Sequence, residues 1–155
     1  MKGNEYTSIK KVLRSFYRAV ALFGKEFDYP DCSLNEAIVI GIVFRNPGIR
    51  AKEISSLIAL DKGYLSRLLH SLEKRGILLR KPLAKSASEK EIILSDKGIK
   101  IAGETTAILD ASIEKHLALL DEKERTAFLL KIDSLDQDLA AMTGAEEIRT
   151  ERRQK

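Results

Sequence analysis

Tryptophan is absent, and aromatic residues make up only 6% of the chain. That leaves few rings for the platforms on which sugars or unstacked bases rest. A single cysteine, Cys32, excludes an intrachain disulfide framework and a multi-cysteine zinc site. Long apolar runs are missing as well. The longest, Ala37 to Phe44, has eight residues, against the roughly 20 that a membrane-spanning helix needs. The opening residues Met1-Lys2-Gly3-Asn4-Glu5 lead into a charged segment without an apolar signal region. What is present suits one soluble domain. The 155 residues leave little room for two independent cores, while 44% hydrophobic and 32% charged residues supply one core and its surface. The expectation is a cytoplasmic, single-domain protein with no membrane partner.

Charge is unevenly placed. The net charge is +4, with an isoelectric point near 9.1. Between Asp61 and Lys90, eight basic residues face three acids, a net +5 over thirty residues. Between Lys97 and Thr143, nine acids outweigh six basic residues, a net −3. A basic middle beside an acidic C-terminal region suggests a polyanion-binding module joined to a part with another task.

The pattern is mainly α-helical. Ile9, Val12, Leu13, Phe16, Val20, Phe23 and Phe27 recur every three or four residues and predict a long amphipathic first helix, ended by Asp28-Tyr29-Pro30-Asp31. Ser33-Leu34-Asn35-Glu36 is a capping box that opens a strongly apolar, central helix ending at Asn46-Pro47-Gly48. Short helices follow at about Arg50 to Ile58 and Lys62 to Arg75, the latter closed by Gly76. Ile77 to Lys81 and Glu91 to Leu94 read as strands joined by a polar, flexible segment, Pro82 to Lys90. Ser95 caps a long helix to about Leu120, and Asp121-Glu122-Lys123-Glu124 starts a last one. Phe128, Ile132, Leu135, Leu139 and Met142 form its apolar stripe. The end, Glu146 to Lys155, is a densely charged tail.

Two short helices before a basic hairpin fit a helix-turn-helix. Ile54, Ile58, Leu60, Leu65 and Leu68 supply apolar contacts, with small Ser55 and Ala59 where the helices approach and turn. Leu65, Leu68, Leu69 and Leu72 bury one face of the second helix. Lys62, Gly63, Tyr64, Ser66, Arg67, His70 and Lys74 remain on other faces, able to meet double-stranded DNA. Lys62, Lys74, Arg80, Lys81, Lys85 and Lys90, on helix ends and wing, suit phosphates. Arg67 and Tyr64, on the first turns, suit base edges, because an arginine fork matches guanine. Arg67 has a plainer alternative, contacting phosphate alone or bracing the helix through Asp61.

The stretch Asp61-Lys62-Gly63-Tyr64-Leu65-Ser66-Arg67-Leu68-Leu69-His70-Ser71-Leu72-Glu73-Lys74-Arg75-Gly76-Ile77-Leu78 resembles the recognition helix and wing entry of the MarR (multiple antibiotic resistance regulator) transcription factors. Leu94-Ser95-Asp96-Lys97-Gly98 is similar to the Leu-Thr-x-x-Gly with which that family leaves its second wing strand. The helix order extends the resemblance over about residues 5 to 143. It implies a homodimer whose helices at 5–29 and 95–143 intertwine, with a winged helix-turn-helix lobe at 33–94 and a tail at 144–155. It implies a regulator, often a repressor, that binds a pseudo-palindromic operator and is released by a small ligand or by oxidation. An aromatic or amphipathic effector would sit between dimer helices and lobe, where Tyr17, Phe23, Phe27 and Phe44 are candidates, each also suited to plain core packing. Family wings usually carry Asp-x-Arg where this chain has Ser86 and Ser88, so the usual minor-groove arginine is missing and Lys85 or Lys90 supplies the nearest cation.

Other chemistry finds no support. Gly98 to Thr105 has the glycine spacing of a phosphate loop, but Glu104 stands where lysine is required. His70 and His116 lie far apart with no ligand pattern around them, and no serine or acid spacing singles out a nucleophile and base. Neither an enzyme nor a cofactor is expected. Cys32, before the Ser33 cap, reads as a small semi-buried residue or as a redox sensor. Beside the DNA-binding regulator stands an alternative, a winged-helix module whose basic face binds a protein or an unspecific polyanion.

Overall fold

A computed structural model describes residues 10, 14, 17, 18, 21, 24–58, 60–83 and 86–143. Phe23, Ala59, Lys85, the tail from 144 onward and the side chains of Ser86, Ser88, His116, Leu139 and Met142 lie outside that description. Residues 10, 14, 17, 18, 21 and 24–26 are helical, on the segment where a first helix is expected. The elements that follow are α1 (Leu34–Arg45), α2 (Ala51–Ile58), α3 (Lys62–Lys74), β1 (Leu78–Leu83), β2 (Ser86–Leu94), α4 (Asp96–Leu117) and α5 (Glu122–Thr143). This is a mainly α fold with a two-stranded hairpin, a winged helix-turn-helix followed by long helices.

Helix α1 starts at the expected capping box. The Glu36 amide donates to Ser33 Oγ at 3.3 Å, and the Ser33 amide donates to Glu36 Oε2 at 2.9 Å. Ala37, Val39, Ile40, Gly41, Ile42 and Val43 are buried, so the helix is enclosed on most sides and forms the centre of the lobe. Around it pack Ile54 of α2, Leu65, Leu68, Leu69 and Leu72 of α3, Ile77, Leu78 and Ile92 of the hairpin, and Ile101 and Ala102 of α4. Ile58 and Leu60 lie partly buried against this core, and Ser55 Oγ donates to the Leu60 carbonyl at 3.1 Å, closing the turn.

Helix α3 ends in a Schellman arrangement. The Ile77 amide reaches the Leu72 carbonyl and the Gly76 amide the Glu73 carbonyl, both at 2.9 Å, with Gly76 at φ +69. The hairpin is longer than expected. β1 runs to Leu83 and β2 begins at Ser86, so much of the supposed flexible joint is strand. Pairing goes from Leu78↔Leu94 to Pro82↔Lys90 and then shifts between Pro82 and Leu83. A two-stranded sheet consists only of edges, where a proline without an amide donor is tolerated, especially beside a bulge. Ile49, before α2, bridges antiparallel to Ile92. The Ile92 amide donates to Ile49 O at 2.9 Å and the Gly48 amide to Ile92 O at 3.0 Å, which ties the wing to the helix-turn-helix.

The wing leaves into α4 through a tight junction. Ser95 Oγ donates to the Gly76 carbonyl at 2.6 Å and accepts from the Gly98 amide at 3.1 Å. A Cβ on Gly98 would lie 2.1 Å from the Ile77 carbonyl oxygen and 3.1 Å from Leu94 Cβ. That close approach is the physical reason for glycine in Leu94-Ser95-Asp96-Lys97-Gly98. Gly103, five residues on in the same helix, has nothing within 4 Å of its would-be Cβ. Gly98→Ala should therefore destabilise the fold by about 1–3 kcal/mol through overpacking against backbone. Gly103→Ala should stabilise it by up to about 1 kcal/mol through helix propensity. Urea denaturation of both variants checks the pair.

Candidate nucleic-acid interface

Burial and exposure divide α3 lengthwise. Leu65, Leu68, Leu69 and Leu72 face the core, while Lys62, Gly63, Tyr64, Ser66, Arg67, His70 and Lys74 are exposed. Spacings of three and four residues put each set on one side, so the leucine stripe orients the cationic face. Asp61 caps the helix, its Oδ1 accepting from the Tyr64 amide at 2.9 Å. Among the described residues no ion pair is formed by Arg67, and Asp61 serves as the cap. Tyr64 is steadied from another helix, its hydroxyl accepting from Asn35 Nδ2 at 3.0 Å. The phenolic proton stays available for a second partner. Asn35 was not anticipated as a site residue, because nothing local in its capping-box setting points to α3.

The wing supplies further cations. Lys81 and Lys90 are exposed; Lys81 pairs with Glu91 and Lys90 with Pro82, so strand alternation sets the two lysines on opposite faces of the hairpin. Arg80 is more enclosed, with Nε 3.1 Å from Glu73 Oε2, an ion pair that joins the wing to the end of α3. Arg75, another member of the basic run, is turned back against the fold. Its guanidinium donates to Glu36 and to the Asp31 carbonyl, pinning α3 to the start of α1. The net +5 of the middle region therefore overstates the charge offered outward.

Two clefts open between these elements. One, of about 420 Å³, runs between α2 and α3, with Lys52, Ser55, Lys62, Ser66 and Arg80 on its walls. The other, of about 380 Å³, lies between α2 and the wing and is walled by Arg50, Lys52, Arg80, Glu89 and Lys90. Arg50 occupies the residue before α2, where a hydroxyl cap is usual. Glu53 compensates, its Oε2 accepting from the Arg50 amide at 2.8 Å and from Arg50 Nε at 2.9 Å. Arg50 Nη1 continues to Glu89 Oε2 at 3.1 Å, and Lys52 Nζ to Glu89 Oε1 at 3.3 Å. Hydrogen bonding from Arg50, then from Lys52, holds the Glu89 carboxyl below its ordinary range. The sequence signal that could have found this group is the capping-box spacing Arg50-x-x-Glu53, with arginine in the hydroxyl's place.

The effector candidates are dispersed in character. Phe27 packs partly buried against the core, whereas Tyr17 and Phe44 are exposed. Cys32 is buried, with Sγ 3.6 Å from the Ser33 carbonyl oxygen. Burial, then the Glu36 carboxylate, pushes its thiol up to about 11. That opposes the thiolate a redox sensor needs.

Fold and surface together define a winged helix-turn-helix protein with a cationic face running from recognition helix to wing. The signature of the MarR family matches residues 33–87. The HTH-type transcriptional regulator SarZ of Staphylococcus haemolyticus (strain JCSC1435) is 30% identical over 101 residues, 65% of this chain and 69% of SarZ. A MarR transcriptional regulator from Methanosarcina mazei Go1 superimposes with a TM-score of 0.76 at 19% identity, covering 88% of this chain and 99% of that one. Streptococcus pneumoniae FabT, solved in complex with DNA, gives a TM-score of 0.70 at 20% identity, with coverages of 88% and 99%. The chain belongs to the MarR family, whose members are transcriptional regulators and not enzymes.

The buried thiol has a measurable consequence. The unfolded chain releases the Cys32 proton near the ordinary value of 9.0 and the folded chain near 11. The raised value means that the folded state holds the proton more tightly, so this contribution to stability is complete below pH 9 and lost as pH rises toward 11. Cys32→Ala should flatten the stability loss across that window. Denaturation of both proteins from pH 8 to 11 reads the difference, and an unchanged slope would place the cysteine in an ordinary environment.

Proposed function

We propose that the protein is a homodimeric, sequence-specific DNA-binding repressor released by a small aromatic or amphipathic effector. The observation that carries the reading is the division of α3, with four buried leucines behind a cationic outer face that continues past Arg80 to Lys90 of the wing. The FabT complex supports it, since a protein of this fold is there bound to DNA. On this reading Arg67 and Tyr64 meet base edges in the major groove. Lys62, Ser66, His70, Lys74, Arg80, Lys81, Lys85 and Lys90 surround them, with the lysines and Arg80 on phosphates. Gly63 keeps the first turn low enough for the backbone to approach the DNA.

The lobe is taken as 33–94, and the helices at 5–29 and 95–143 as the dimer region. Support comes from α5, where Phe128, Leu129, Leu130, Ile132 and Leu135 are all exposed in the single chain. Leu130 is 67% exposed, and an apolar series of this kind requires a covering partner. Two lobes on a two-fold axis would read a pseudo-palindromic operator. The effector would sit near Tyr17, Phe23, Phe27 and Phe44, and it acts only if it prefers the lobe spacing that does not fit DNA. A protein that does this works in the cytoplasm, where the DNA is.

Sedimentation at micromolar concentration should give twice 17.4 kDa; a well-behaved monomer contradicts the dimer.

DNA titrations across a salt series test the contacts. Arg67→Ala should cost about 1–3 kcal/mol on the cognate site and less on scrambled DNA. Lys90→Ala should weaken both nearly equally and flatten the log–log salt slope by about 0.9. Equal losses for Arg67→Ala on both DNAs would make it a positioning residue, and equal affinity of the wild-type chain for both would favour an unspecific polyanion binder. The same titrations with small aromatic acids present test for release.

A further inference from the structure

The cleft between α2 and the wing holds a cluster of two cations and one carboxylate outside the outer face of α3. Arg50 and Lys52 project from the start of α2 beside β2, on the side where the cleft shares Lys52 and Arg80 with the groove leading to Lys62 and Ser66. Their charges converge on one carboxylate. Glu89 Oε2 takes Arg50 Nη1 at 3.1 Å and Oε1 takes Lys52 Nζ at 3.3 Å. One cation on each of two oxygens is also how the non-bridging oxygens of a phosphodiester are held. The group is open to solvent, with side-chain exposures of 31% for Arg50, 63% for Lys52 and 40% for Glu89. Exposed ion pairs of this kind are weak, so a competing anion exchanges with the carboxylate readily.

We propose that Glu89 is an internal stand-in for a DNA phosphate: it occupies Arg50 and Lys52 in the unbound protein, and the DNA backbone displaces it, making these two residues wing-side phosphate contacts. The inference rests on the DNA-binding reading and adds to it a built-in competitor. Without displacement, the carboxylate would face the phosphates and repel them. With displacement, Arg50 faces the backbone from the start of α2, held in place by the buried Glu53 carboxylate. The contacts are to the backbone, so they strengthen binding without selecting sequence.

The test compares wild type, E89Q, K52A and the double variant on cognate and scrambled DNA from about 50 to 300 mM salt, a range over which phosphate contacts are strongly attenuated. E89Q keeps the shape and removes the charge. It should tighten binding to both DNAs by about 3- to 10-fold at 0.1 M salt, and K52A should flatten the log–log slope by about 0.9. In the K52A background the gain from E89Q should shrink, because the two residues act on each other. Equal or weaker binding by an E89Q protein that melts at the wild-type temperature overturns the proposal and leaves Glu89 as a brace. Should E89Q melt lower, K52A alone decides, and an unchanged slope overturns the proposal. A wild-type chain that binds no DNA at 50 mM salt fails the functional reading itself, whereas wild-type binding without the E89Q gain fails this inference only.

Discussion

Two backbone hydrogen bonds between Gly48-Ile49 and Ile92 hold the wing against the helix-turn-helix. A hairpin of two strands is marginal alone, and this bridge gives β2 a second neighbour on the side away from β1. Gly48 reaches the required geometry at φ +78, and the next residue, Ile49, is fully buried. Because α2 begins immediately afterwards, the bridge also fixes where Arg50 and Lys52 stand relative to Glu89. The position of the wing, its ionic links to α2 and the cleft between them all follow from that anchoring.

From the same core the recognition helix takes its orientation. Leu65, Leu68, Leu69 and Leu72 leave α3 little freedom to roll, so its outer residues are presented by packing and not by contacts of their own. Arg75, bonded to Glu36 and the Asp31 carbonyl, locks the far end to α1, and Tyr29 donates to Glu104 across to α4. The lobe is thus joined to the long helices at several points, the tightest being Gly98 against the Ile77 carbonyl. A change in the angle of α4 would be felt at the wing, which is the mechanical requirement for an effector acting on DNA affinity.

Much of this was legible from residue order. The capping box at Ser33 and Glu36, the stop at Gly76 and the leucine spacing of α3 are local signals, and they are found at their expected positions within a residue or two. The parts that were not legible depend on partners distant in sequence. A one-residue bridge at Ile49 leaves no periodic trace. Pro82 argued for a loop, yet an edge position beside a bulge accommodates it within β1. Counting charge treated Arg75 as an outward-facing cation, whereas folding sets it against Glu36, and Arg80 lines the clefts only while also pairing with Glu73. Asn35 and Glu89 could be recognised as site residues only once Tyr64, Arg50 and Lys52 had been placed beside them.

On the proposed function, the outer face of α3 reads a particular DNA sequence. The most direct test of that reading is a gel shift with the DNA upstream of the protein's own gene, in the presence of a large excess of scrambled competitor. A discrete retarded band should survive the scrambled competitor and disappear with unlabelled specific DNA. A band lost equally to both competitors would contradict that reading, because the cationic face would then be recognising phosphate alone.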